Sequence, residues 1–167
     1  MNVPKAFEIA LAKTIREYAE IGEGVTIRAW QALMTDAYWN EDTDRQFPMI
    51  DIRCSPPMPD EVQATLVCEC GVLMGTNADD DRDHAGISQL YEAVHGLLDT
   101  LFSQFRQNDS EDNELAYFMA EIEAALDMEF DLGGFTFGQG LAPNDEGGIN
   151  MIGTTFRLHY HNAAYDY

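Results

Sequence analysis

The chain has 167 residues, 46% of them apolar and 11% aromatic, enough for one domain with a substantial core. Thirty acids against nine bases leave a net charge of −21. That balance excludes a protein that grips nucleic-acid phosphates, which needs clustered Lys and Arg, and the apolar content excludes a disordered acidic tail.

The charge is uneven. Residues 107–167 hold twelve acids and one base, Arg157, while residues 1–106 hold eighteen acids and eight bases. Lys13, Arg16 and several acids interrupt the apolar N-terminal stretch, which argues against a signal peptide. No run reaches the roughly 18 uninterrupted apolar residues of a membrane-spanning helix. Cys54, Cys68 and Cys70 do not make an even disulfide framework, so synthesis in a reducing cytoplasm is expected.

In chain order, the opening segment predicts an amphipathic helix with Phe7, Ala10, Leu11, Thr14, Ile15 and Tyr18 on one face. Pro4 suits its first turn, and Gly22 and Gly24 stop it. Residues 25–30 read as a strand leading into an irregular or helical turn, and 40–45 as a polar loop. In "FPMIDIRC", Met49, Asp51 and Arg53 alternate with Ile50, Ile52 and Cys54, a strand ended by Pro56, Pro57 and Pro59. "SPPMPDE" is expected to be a turn between antiparallel neighbours. The nearly continuous apolar run "VQATLVCECGVLMG" predicts a strand in the sheet interior.

A long helix is expected over 80–106, with Ile87, Leu90, Tyr91, Val94, Leu97, Leu98, Leu101, Phe102 and Phe105 as its stripe. A shorter one near 112–126 carries Leu115, Phe118, Met119, Ile122 and Leu126. "GGFTFGQG" and "INMIGTTFRLHYHNA" read as two strands joined by a turn-rich "LAPNDEGG". In the last strand Phe156, Leu158 and Tyr160 share one face, and Thr155, Arg157, His159 and His161 the other. The expected architecture is one α+β domain over 1–167, a mainly antiparallel sheet with helices on one face.

Among chemical candidates, Asp79, Asp80, Asp81 and Asp83 crowd the start of the long helix. A calcium-binding loop counted from Asp79 needs Gly at the sixth position and Glu at the twelfth; these are His84 and Leu90. Counting from Asn77 gives Arg82 and Ser88. The run is therefore read as a helix cap that complements the dipole, with a weak divalent-ion site as the alternative. Cys68 and Cys70 point to one face of their strand, and Cys54 fits a neighbouring strand. The paired CxxC spacing of a zinc site is missing, so all three are read as buried free thiols. His159 and His161 read as an exposed pair without a third ligand, and His84 and His95 have no evident partner. No GxSxG elbow, Walker loop, dinucleotide-binding glycine pattern or HExxH occurs. The expectation is a non-enzyme with no catalytic residues, no cofactor and no metal.

Four features together resemble the tail terminator (tail completion) proteins of long-tailed bacteriophages: the short opening helix, the "FPMIDI" strand, a strand running into "GTNADDDRDHAGISQLYEAVHGLL", and the closing "TTFRLHYH". In that family a strand runs into a T-x-x-D turn and then a long helix crossing the sheet; Thr76, Asp79 and the helix from Ala85 match those places. The segments 30–46 and 112–126 depart from its leanest versions. The resemblance implies a structural virion protein of the tail or neck, made in the host cytoplasm, that forms a ring, usually a hexamer. The ring would cap the tail tube and meet the head–tail connector proteins, and DNA would pass through without specific binding. A lumen lined with carboxylates would repel phosphate. Alternatives are an acidic DNA mimic that inhibits a nucleic-acid enzyme, and another neck or tail-tube subunit. No membrane partner is expected.

Overall fold

Two strands of twelve and thirteen residues form the middle of the structure, and shorter strands line up end to end along their outer edges. The computed structural model describes residues 2–22, 24–31, 48–60, 65–77, 85–108, 111–138, 140–146 and 149–161. The strands are β1 (Thr26–Ala29), β2 (Met49–Cys54), β3 (Met58–Asp60), β4 (Thr65–Asn77), β5 (Leu132–Phe137), β6 (Leu141–Glu146) and β7 (Ile149–Tyr160). The helices are α1 (Val3–Tyr18), α2 (Ala85–Arg106) and α3 (Glu114–Leu126).

The sheet runs β1-β2-β4-β7-β5, with β3 beside β4 and β6 beside β7. Among the described strands only β1–β2 is parallel; the other pairings are antiparallel. The architecture is α+β, as the element pattern predicts. β4 lies between β2 and β7, the interior position that its near-continuous apolar run requires.

Two segments expected to be turns are strands. "SPPMPDE" contains β3, which pairs Met58 with Val67 and Asp60 with Thr65. "LAPNDEGG" contains β6, which forms a hairpin with β7 and shifts register between Leu141 and Asn144. Both carry prolines, and among the described strands each lies against a single neighbour, where a missing N–H leaves no ladder bond broken. A proline-based stop signal therefore undercounts edge strands.

Asn2 caps α1 by accepting from the Lys5 N–H at 3.0 Å, and Pro4 sits in the first turn, where an N–H would have no partner anyway. The stripe Phe7, Ala10, Leu11, Thr14 and Ile15 is buried, and the Thr14 hydroxyl donates to the Ala10 carbonyl at 2.7 Å. Tyr18 departs from the expected face. It is 38% exposed and packs edge-on against Tyr117 of α3, ring centres 5.3 Å apart. The helix ends one residue later at extended Ala19, so Tyr18 lies past the last covered turn.

In α2, Leu90, Val94, Leu97, Leu98 and Leu101 are buried against β4, β5 and β7. In α3, Leu115, Phe118 and Ile122 are buried, with α1 as the main neighbour. The three described helices cover the sheet face that carries Ile50, Ile52, Val72, Met74, Phe156, Leu158 and Tyr160. Among the described residues no helix is long and apolar enough to cross a membrane.

Candidate functional sites

The outer sheet face, away from the helices, collects the odd-numbered side chains of β4 and their cross-strand partners. Arg28 lies beside Asp51 in the β1–β2 register and holds it with both ends of the guanidinium, Nε to Oδ1 at 2.8 Å and Nη2 to Oδ2 at 3.1 Å. Arg53, two residues along β2, reaches the same carboxylate at 3.6 Å and stacks 3.9 Å over the Trp30 ring. Farther along, Arg157 pairs with Glu69 directly across β4–β7 at 3.3 Å. His159 and Asp60 follow at 3.9 Å. Between these groups lie the half-buried Val67, Leu73 and Met151 and the exposed Met58. Among the described residues, arginines and carboxylates nearly cancel on this face, although the chain as a whole carries −21.

The second site lies under the opposite face. Cys54 and Cys70 are direct antiparallel partners, and Cys68 precedes Cys70 by two residues, so all three side chains point toward α1. They are buried free thiols, as read from the sequence, and their sulfurs lie within 4.8 Å of one another. Hydrogen bonds from Cys54 and Cys70 lower the Cys68 thiol to about 5. Burial pushes Cys54 and Cys70 well above the usual thiol range. The cluster thus favours one thiolate served by two thiols. When Cys68 carries its proton, the sulfur donates instead to the Ser55 carbonyl at 3.1 Å.

Glu8 of α1 belongs to this site, although it is not one of the apolar residues that define the α1 stripe. It is fully buried, and its carboxylate accepts from the backbone N–H of Gln31 at 2.6 Å and of Cys54 at 2.9 Å. Burial raises its pKa more than these hydrogen bonds lower it. The available signal was an acid in phase with Leu11, Ala12 and Ile15 on the apolar stripe.

The other candidates scatter. Asp79, Asp80, Asp81, Asp83 and His84 lie outside the described residues. His95 has a partner after all, Asp99 at 3.2 Å one turn along, and its ring lies between Tyr91 and Phe137. His161 is exposed, but His159 is buried at 7% exposure, contrary to the exposed pair expected. Gly134, directly opposite, leaves room for the imidazole: a Cβ there would sit 3.1 Å from the His159 ring. The structure therefore does not place the two histidines as equivalent ligands. No protein-family model matches the chain, and no curated protein matches it either.

Proposed function

We propose that the protein is a structural subunit of a long-tailed phage, a tail terminator whose ring caps the tail tube and meets the head–tail connector. The observation that carries this reading is the charge-balanced sheet face on the side opposite the described helices. Two copies of a chain at −21 repel each other on nearly every approach. The face built from Arg28–Asp51, Arg53 and Arg157–Glu69 is where a second copy meets little net charge. A closed ring needs one patch of each subunit to fit a different patch of the next. The passage of β4 through Thr76, followed by α2 against β4, β5 and β7, supports the family resemblance. A neck or tube subunit would share these features.

Light scattering over protein concentration and ionic strength, followed by electron microscopy of tail tubes lacking their terminator, tests the proposal. Rings that grow with salt and cap the tubes are expected. Arg53→Glu with Arg157→Glu should abolish both while the monomer stays folded. A monomer at every salt concentration that leaves tubes open and inhibits a DNA-binding enzyme would assign the chain to the DNA mimics.

A further inference from the structure

We infer that Cys54, Cys68 and Cys70 form a three-sulfur site for a soft, thiophilic d10 cation of the copper(I) type. The donors converge from two paired strands whose register is fixed on both sides, so the site is preorganised. A cation bonded to three thiolates at about 2.3 Å would hold the sulfurs roughly 3.8–4.0 Å apart. The sulfurs already lie within 4.8 Å of one another, so side-chain rotation and a contraction under about 1 Å would close the site. Thiolate donors select copper(I) and zinc over hard cations. Zinc requires a fourth ligand, whereas copper(I) is satisfied by three sulfurs.

Glu8 supplies a separate argument. Its carboxylate is fully buried, and among the described residues its hydrogen bonds come from backbone N–H groups and Gln31 rather than from a Lys or Arg. One of those bonds holds the Cys54 backbone and so fixes a sulfur-bearing residue from the helix side, as an outer-shell partner does.

Binding exchanges thiol protons for the cation, up to three protons leaving to solvent, with no change of oxidation state. Because the site exists only in the folded chain, the cation stabilises the fold and ties β2 to β4.

The test uses the full chain, reduced and kept free of oxygen, titrated with copper(I) from a chelator buffer and, separately, with zinc. The expected result is one copper(I) per chain, three thiols protected from a chromogenic thiol reagent, sulfur-to-copper absorption in the ultraviolet and a raised Tm. Cys68→Ser and Cys70→Ser should each weaken binding by more than about 100-fold, beyond the loss usual for an outer-shell partner. Circular dichroism identifies any variant that fails to fold, and the wild-type stoichiometry and thiol count stand without the variants. Three outcomes would overturn the inference: no copper retained at one equivalent, copper retained when all three cysteines are serine, or zinc bound where copper(I) is not.

Discussion

Arg28→Ala removes one partner from a charged pair that is buried on the outer sheet face. The Asp51 side chain is 4% exposed and that of Arg28 9%, so truncation leaves a carboxylate without water or its two-pronged donor. Breaking a buried pair from one side costs about 3–5 kcal/mol. Arg53 lies 3.6 Å from the same carboxylate but is 54% exposed, so it recovers only part of that loss. The lower end, about 3 kcal/mol, is therefore expected. With a urea dependence of about 2 kcal/mol per molar, the midpoint should fall by about 1.5 M. Replacing both partners, Arg28→Met with Asp51→Leu, removes the stranded charge and should return stability to within about 1 kcal/mol of wild type. Equilibrium urea unfolding of the four proteins closes a double-mutant cycle. A single-variant loss under about 1 kcal/mol, typical of a solvated surface pair, would refute the reasoning.

Two further substitutions test the covered face and the glycine beside His159. Leu98→Ala removes a fully buried side chain from the centre of the α2 stripe and should cost about 2–5 kcal/mol in the same assay; a loss near zero would mean that another face of α2 meets the sheet. Gly134→Ala places a Cβ 3.1 Å from three atoms of His159 and should cost about 1–3 kcal/mol through overpacking, seen as a lowered Tm; an unchanged Tm would show that the imidazole moves aside freely.

Periodicity was a reliable guide wherever one helix face or one strand face was buried against a continuous partner. α1, α2, α3, β2, β4 and β7 all have this property, and their apolar spacing shows it. It was a poor guide where an element's structure depends on a neighbour distant in sequence. β3 and β6 are short, proline-bearing and held by β4 and β7, and nothing local separates them from turns. His159 alternates with the buried face, yet the bare backbone of Gly134 opposite makes room for it. The same limit hid the role of Glu8. Its position in the stripe was visible, but its hydrogen-bond partners are 23 and 46 residues away.

The charge pattern shows why register matters more than composition here. Arg28, Arg53 and Arg157 are spread over the chain and look like isolated bases in an acidic background. Parallel pairing sets Arg28 beside Asp51, and antiparallel pairing sets Arg157 beside Glu69; Arg53 joins Asp51 from two residues along its strand. Three of the nine bases thus gather on one sheet face, where they neutralise the acids around them. The remaining surface is correspondingly more acidic than the average over the chain. Added salt screens repulsion between those acidic surfaces, whose charges are far apart, more than it weakens the buried Arg28–Asp51 pair. Rising ionic strength should therefore favour contact through the neutral face without loosening the strands that build it.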